Sequence, residues 1–203
     1  MEEAISFHRK ALKLLPASHP DRYVYLNKLA STLSMQFTQS GRTEDLEEAT
    51  SLHRETLVLL SAADPNLSMY LTNLACALLT QFEQSRRDKD LDEVIALRRQ
   101  AIKSLPSSYP YRLTSLTDLA PALLTRFGRS GRVDDLQEAI LLRRQVMSLL
   151  PASHPDLSMA LWSLAFVLWT RFKRPHQDGD LEEVILLHQK ALQPQRSQVK
   201  LMI

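Results

Sequence analysis

Apolar residues recur along this chain at intervals of three and four, the spacing that places them on one face of an α-helix. The first clear series comprises Leu26, Leu29, Ala30, Leu33 and Phe37. A second series with the same spacing comprises Leu46, Ala49, His53, Leu57 and Leu60. We therefore predict two successive amphipathic helices in this part of the chain.

The pattern returns every 45 residues, without a gap, between residues 1 and 172. The segment 46–49, Leu-Glu-Glu-Ala, recurs with small changes at 91–94, 136–139 and 181–184. The pairs at 29–30, 74–75, 119–120 and 164–165 are all Leu-Ala, and Phe37, Phe82, Phe127 and Phe172 follow the same step. A hairpin of two helices cannot bury its apolar face alone, so such repeats stack on their neighbours.

Start and stop signals divide each unit. Pro20 and its equivalents fit the first turn of a helix, where the missing N–H has no partner. Asp45 with Glu48 has the spacing of a capping box at the start of the second helix, as have Asp90, Asp135 and Asp180 with their glutamates. Pro16 and Gly41 are stop signals. We predict nine helices near 2–15, 21–39, 45–60, 66–84, 90–105, 111–128, 135–150, 156–173 and 180–192.

Composition supports helices and narrows the class. The chain has 203 residues, only 4 glycines and an aromatic content of 6%, and straight-chain residues such as Leu, Glu and Arg lose little side-chain freedom in a helix. The net charge of +2 does not by itself indicate nucleic acid or an anionic membrane. A single cysteine excludes an internal disulfide, and the acidic N-terminus lacks the layout of a secretory signal. We expect a cytoplasmic protein.

The residues at these positions resemble the tetratricopeptide repeat. That family's first helix carries a large residue, Leu with a small residue, and another large one, as in Leu26, Leu29-Ala30 and Leu33. Its second helix carries Ala, a large residue four later and a closing proline, as in Ala4, His8 and Pro16. The resemblance covers residues 1–192. It implies an all-α right-handed solenoid of stacked antiparallel hairpins that binds proteins.

The unit of 45 residues departs from the family's 34 or so. Seven of the extra residues fall between Ala30 and Ala49, and four between Pro16 and Leu26. This variant resembles tetratricopeptide-like arrays of fungal proteins, which often precede a caspase-like CHAT protease domain or a nucleotide-binding module. We therefore keep, beside a free-standing adaptor, the alternative of a regulatory array in a larger protease or signalling protein.

The repeat boundaries predict one domain. A half unit at 1–16 is followed by units at 17–61, 62–106, 107–151 and 152–192, and the tail 193–203 matches nothing upstream. Met1 occupies the repeat position of Leu46, so the chain starts inside a unit. We interpret it as a stretch of a longer array, with a small adaptor bearing its own tail as the alternative.

Catalytic and metal chemistry find little support in the sequence. Cys76 is a small residue on a predicted helix, with no protease signature around it. Three of the six histidines, His8, His53 and His188, share one repeat position, and neighbouring units lie too far apart for two imidazoles to hold one zinc. We expect no enzyme activity, no metal and no cofactor.

Basic residues form a predicted ridge along the second helices. It comprises Arg9, Arg54, Arg98, Arg99, Arg143 and Arg144. The simplest interpretation is a solvated face, with acids at the start of each helix and bases further on, as the helix dipole favours. An acidic partner is the competing interpretation. RNA is the weakest, because no aromatic side chains interleave the charges.

The first helices carry the better candidate for a binding surface. By the resemblance they line a concave groove, whose residues would be Asn27, Ser31, Ser34, Thr72, Leu79, Thr117, Leu124, Trp162, Phe166 and Trp169. Along the array this surface changes from polar to aromatic, and tryptophan is common at binding hot spots. The alternative is that Trp162 and Trp169 pack against a neighbouring helix or repeat.

Pro121 falls in the middle of a predicted first helix, where it removes a backbone hydrogen bond and is expected to kink or shift the helix. We predict a scaffold or adaptor that holds a peptide or a partner protein in the concave groove. Neither a membrane nor a nucleic acid is expected as a partner.

Overall fold

The computed structural model describes residues 1–106, 112–173 and 179–199. The chain falls into two compact units, Met1–Tyr109 and Pro110–Ile203. The described residues form nine α-helices and no strand. The predicted all-α class is therefore confirmed, whereas the prediction of one continuous array over residues 1–192 stays a prediction.

The helices follow the predicted order closely. The first unit contains α1 (Glu2–Leu14), α2 (Arg22–Ser40), α3 (Thr43–Leu59), α4 (Leu67–Ser85) and α5 (Asp88–Ser104). The second unit contains α6 (Arg112–Ser130), α7 (Val133–Leu149), α8 (Leu157–Phe172) and α9 (Gly179–Val199). Among the described residues, no helix is long and apolar enough to cross a membrane.

Each unit is built from helical hairpins laid side by side. In the first unit α2 pairs with α3 and α4 with α5, while α1 packs on α2 and α3 packs on α4. In the second unit α6 pairs with α7 and α8 with α9, while α7 packs on α8. Small residues allow this close approach: Ala30 and Ala49 are fully buried in one cluster with Leu29, Leu33 and Ile5.

The predicted glycine stops are confirmed. Gly41 and Gly131 both have a φ of 71°, in the left-handed region, and the N–H of each donates to the carbonyl of the phenylalanine four residues earlier. Glycine suits this cap because it has no Cβ to clash. At the equivalent position of α4 the residue is Arg86, which adopts a φ of 54° without that freedom.

The predicted capping role of the aspartates is wrong. The helices α3, α5 and α7 begin two residues earlier than predicted, their N-caps are Arg42, Arg87 and Arg132, and none makes a side-chain capping bond. Asp45, Asp90, Asp135 and Asp180 lie buried inside the first turn. There the carboxylate is stabilised by the positive end of the helix dipole and by a nearby guanidinium.

Two arginines of the first helices bind these aspartates. Arg126 donates two hydrogen bonds to Asp135, of 2.6 and 2.8 Å, and Arg171 donates two to Asp180, of 2.6 and 2.7 Å. In the first two full repeats the equivalent residues are Gln36 and Gln81. There Arg42 lies 3.9 Å from the carboxylate of Asp45, and Arg87 lies 3.3 Å from that of Asp90, which also accepts a hydrogen bond of 3.2 Å from the hydroxyl of Ser85.

Pro121 lies inside α6, which runs without a break from Arg112 to Ser130. The helix therefore continues through the residue that was expected to disturb it. The carbonyl of Pro121 accepts a hydrogen bond of 2.9 Å from the hydroxyl of Thr125. Pro110, the equivalent of Pro20 in the third full repeat, and His176, one of the six histidines, lie outside the described residues, as does the end of the tail.

Candidate partner-binding surface

In the first unit, helix α4 packs against α2 and α3, the two helices of the preceding repeat. The side-chain amide of Asn73 donates a hydrogen bond of 3.1 Å to the amide oxygen of Asn27. Tyr70 packs edge-on against Tyr23, with 5.7 Å between the ring centres. Successive repeats thus meet along a seam of side chains contributed by their first helices.

A third contact completes this seam. Ala77 of α4 is buried in a cluster with Phe37 and Leu46. Its methyl group leaves room for the larger phenylalanine and leucine side chains on the other side. A small residue at this point of a first helix is therefore part of the packing between repeats.

The predicted groove residues of α2 lie at this seam. Ser31 and Ser34 line a cleft of about 290 Å³ together with Asn73, Cys76 and Thr80 of α4. Asn27, Ser31 and Ser34 are all half-buried. They therefore face the neighbouring helix as much as they face solvent.

The predicted residues of α4 and α6 are half-buried too: Thr72, Leu79, Thr117 and Leu124. The hydroxyl of Thr72 donates to the carbonyl of Ser68, and that of Thr117 donates to the carbonyl of Leu113. Both threonines thus use their hydroxyl protons within their own helices.

The predicted residues of α8 differ sharply from these. Trp162, Phe166 and Trp169 expose 51, 61 and 39% of their surface. Trp162 lies edge-on to His188 of α9, with 4.5 Å between ring centres. Trp169 stacks on Phe172 at 5.4 Å, and the ammonium group of Lys173 lies 5.3 Å from the indole centre.

A cleft of about 390 Å³ opens between these aromatic residues and α9. We call it the α8/α9 cleft and define it by six of its lining residues: Trp162, Phe166, Trp169, Leu181, Ile185 and His188. The repeat pattern predicted the three residues of α8 but not the three of α9. The 45-residue register could have found them, since Leu181 and His188 occupy the positions of Leu46 and His53, which α4 helps to cover.

The structure divides the predicted basic ridge. Arg9, Arg54 and Arg144 are exposed, and each donates to a glutamate on the second helix of the next repeat. The partners are Glu48 at 2.6 Å, Glu93 at 2.8 Å and Glu183 at 2.8 Å. These pairs form a row of alternating positive and negative charges. This part of the surface is therefore not a purely basic ridge.

The inclusion of Arg98 and Arg143 in an exposed ridge is wrong. Both guanidinium-bearing residues are buried, at the repeat position that His53 occupies in α3, while Arg99 is half-buried. Burial lowers the pKa of Arg143, and the nearby carboxylate of Asp118 opposes that effect. A long side chain at this position places its aliphatic stem between helices, which the charge pattern alone did not indicate.

In α3 the repeat position of Arg98 and Arg143 is occupied by a histidine, His53, whose ring can be protonated. It is almost fully buried, and this burial lowers its pKa to about 4 because the charged form loses its hydration. The ring is therefore neutral at physiological pH. Within the part of the chain that the structure describes, no group of three or more His, Cys, Asp or Glu side chains could hold a metal ion. Cys76 is exposed and is not part of a disulfide.

Stacked helical hairpins with small residues at the seams are typical of the tetratricopeptide-like fold. A tetratricopeptide repeat family model matches residues 67–104, which span α4 and α5. A search of curated proteins finds no match.

Solved structures support the same fold over the length of the chain. The TPR-like repeats of a Podosopora anserina protein named for kinesin light chain match with 23% identity and a TM-score of 0.61, covering 93% of this chain and 87% of that one. MamA matches with 18% identity and a TM-score of 0.62, covering 98% and 91%. BtubC (BKLC) from P. vanneervenii matches with 15% identity and a TM-score of 0.67, covering 97% and 74%. Similarity at this level establishes the fold and leaves the function to the chain's own surface.

Proposed function

We propose that this protein is a non-catalytic scaffold that binds a partner protein through its first helices, with the α8/α9 cleft as the main contact. The observation that carries the proposal is the exposure of Trp162, Phe166 and Trp169 around one cleft. Large aromatic side chains bury much area at low entropic cost, and they are enriched where interfaces are strongest.

Seven further positions, five polar and two leucines, are proposed as weaker parts of the binding surface, each within its own unit. Asn27, Ser31, Ser34, Thr72, Thr117, Leu79 and Leu124 are half-buried at the equivalent places of earlier repeats. Within the second unit the aromatic groups of α8 should contribute most of the binding energy.

An acidic or nucleic-acid partner on the second helices is less well supported. Arg9, Arg54 and Arg144 are already bonded to glutamates. A phosphate or carboxylate would have to displace these partners and would meet the repulsion of the adjacent glutamates.

The test is capture of a partner from an extract of the source cells. Wild-type protein is compared with the double variant Trp162→Ala/Trp169→Ala and with the control Val58→Ala, which changes an exposed apolar residue on α3. We expect the wild type and the control to retain the same protein and the double variant to lose it while its circular dichroism stays unchanged. Equal capture by all three would show that the α8/α9 cleft is not the binding surface.

A regulatory repeat array ahead of a caspase-like CHAT domain is a second role, supported by the resemblance of the sequence alone. The flanking gene sequence tests it. Further 45-residue units followed by a domain with catalytic Cys and His would support it, and an intact gene without them would count against it.

A further inference from the structure

The α8/α9 cleft carries the same repeat positions that α4 covers in the first unit. Trp162, Phe166 and Trp169 are the counterparts of Asn27, Ser31 and Ser34, and Leu181 is the counterpart of Leu46. In the first unit these positions meet Asn73, Ala77 and Thr80 of α4. The cleft is thus the continuation of an interface already present inside the protein.

The effect of a covering helix at these positions can be seen by comparing the exposure of two equivalent residues. Ile140 and Ile185 are the same residue type at the same repeat position, and they expose 3 and 49% of their surface. Helix α8 packs on α7, which carries Ile140. Among the described residues, no helix lies correspondingly on α9.

The exposed face is also more apolar than the face that α4 covers. Two tryptophans and a phenylalanine replace an asparagine and two serines. Contiguous apolar surface of this kind on a folded protein marks an interaction site. The aromatic replacements therefore favour an occupant that buries this face.

Resting on the function proposed above, we infer that the α8/α9 cleft takes up an amphipathic helix of another polypeptide, in the place that α4 has in the first unit. The helix lies along α8 and α9 and covers Trp162, Trp169 and Ile185. This mode is that of a helix in a groove, in which residues three and four apart make the contacts.

The first requirement on the occupant is a small residue at the position of Ala77. Ala77 packs against Phe37 and Leu46, and the counterparts of these two residues are Phe172 and Leu181. Because both counterparts are as large as the originals, a bulky or charged residue at that point would clash or be buried without a partner.

The second requirement is a small apolar residue at the position of Asn73. That amide bonds the amide of Asn27, and Trp162 stands in the equivalent place. The indole N–H is a donor and cannot replace the amide oxygen as an acceptor. Alanine avoids burying an unpaired amide there.

The third requirement is an acidic residue at the position of Thr80. Thr80 and Thr38 line the same cleft in the first unit, and the counterpart of Thr38 is Lys173. An acidic side chain there would approach this ammonium group. The occupant therefore carries small, small and acidic residues with the spacing of Asn73, Ala77 and Thr80.

The experiment uses a synthetic peptide with the sequence of residues 66–85, changed by Asn73→Ala and Thr80→Glu, added to the full chain. The chain contains two tryptophans, and both lie in the α8/α9 cleft, whereas the peptide has none. We expect a saturable blue shift of tryptophan emission, with a Kd on the order of 10 μM for so small an interface. No saturable shift at millimolar peptide would overturn the inference.

Matched changes test the position and the register. A peptide that also carries Ala77→Glu should bind at least tenfold more weakly. In the protein, Ile185→Asp should weaken binding at least tenfold, while Leu186→Asp, the adjacent residue of α9 with 48% exposure and no part in lining the cleft, should change it less than twofold. Equal effects of the two variants, or no effect of Ala77→Glu, would contradict the proposed seating.

A second copy of the chain and a further repeat of a longer gene product are the competing occupants. Flanking gene sequence that continues with another 45-residue unit would assign the cleft to that repeat and overturn the inference. Analytical ultracentrifugation of the protein alone should show a monomer over the concentrations used, and self-association that Ile185→Asp abolishes would assign the cleft to a second copy and overturn the inference. If the peptide fails while cellular capture still depends on Trp162 and Trp169, the scaffold function stands and only the helical occupant falls.

Discussion

The guanidinium of Arg126, near the end of α6, holds the carboxylate of Asp135 in the first turn of α7 through two hydrogen bonds of 2.6 and 2.8 Å. Both side chains are largely buried, and the pair joins the two helices of one hairpin. The glutamine that replaces the arginine in the first two full repeats, Gln36 or Gln81, cannot supply this charge.

Removing the carboxylate should therefore be costly. Asp135→Ala leaves a buried guanidinium without its main partner, and we expect a loss of about 3 kcal/mol in the free energy of unfolding. Arg126→Gln should cost about half of that, because it restores the residue of the earlier repeats and Arg132 can approach the carboxylate as Arg42 and Arg87 do. Urea denaturation measures both values, and a cost below about 0.5 kcal/mol for Asp135→Ala would show that the pair contributes little.

His53 should make stability depend on pH in a defined window. Its folded-state pKa of about 4 lies below the ordinary value of 6.5, so the unfolded chain binds the proton more readily between these values. Stability should be full above pH 6.5, should fall as the pH falls toward 4, and should lose about 3 kcal/mol in total from this group.

The variant His53→Gln isolates this effect, since the carboxylates titrate equally in both proteins. The free energy of unfolding of both proteins is measured by urea denaturation from pH 7.5 to 4. As the pH falls through the window, the variant should become more stable relative to the wild type. A difference that stays constant with pH would mean that the ring is protonated without cost in the folded state.

Arg86→Gly should stabilise the protein. Arg86 has a left-handed φ of 54° at the position where two other repeats carry Gly41 and Gly131. Relief of this conformation should add about 0.5–1 kcal/mol, even though the side chain also lies 5.9 Å from the ring of Phe82. Thermal unfolding should show a higher Tm, and Gly41→Ala should shift it the other way, because no neighbouring atom offsets the strain of a Cβ there. A lower Tm for Arg86→Gly would mean that its side-chain contacts outweigh the strain.

Pro121→Ala should also stabilise the protein. The proline lies inside α6 and offers no N–H to the carbonyl four residues earlier. Restoring that donor should add about 1–3 kcal/mol. Cys76→Ala at the equivalent position of α4 is the control and should change stability by less than about 0.5 kcal/mol. Denaturation that gives the same stability for Pro121→Ala and the wild type would show that α6 accommodates the ring without cost.

Much of the fold could be predicted because the same helical pattern occurs in every repeat, so an unclear signal in one repeat is resolved by the others. Leu29-Ala30 and Phe37 recur at a fixed step, so each helix is predicted several times over, and Gly41 and Gly131 mark the helix ends by a conformation that few other residues adopt. The predicted capping role of the aspartates was wrong because an acidic residue at the start of a helix is equally suited to the N-cap and to the first turn. Only the position of Arg126 or Arg171 on the facing helix distinguishes the two.

The candidate site was predictable in part for a related reason. The change from Asn27 to Trp162 is visible in the aligned repeats, but exposure is not. Arg98 and Arg143 are charged residues of the kind expected on a surface, yet both are buried. Their burial depends on the helix that packs against their repeat position.

The helical period, the 45-residue unit and the small residues that permit close packing can be read from the amino-acid sequence, since these depend on interactions within one hairpin. Tertiary structure alone decided which faces are covered: Ile140 and Ile185 are the same residue at the same repeat position, yet one is buried and the other exposed. Burial depends on the neighbouring helix, and that is a property of the stack and not of the residue.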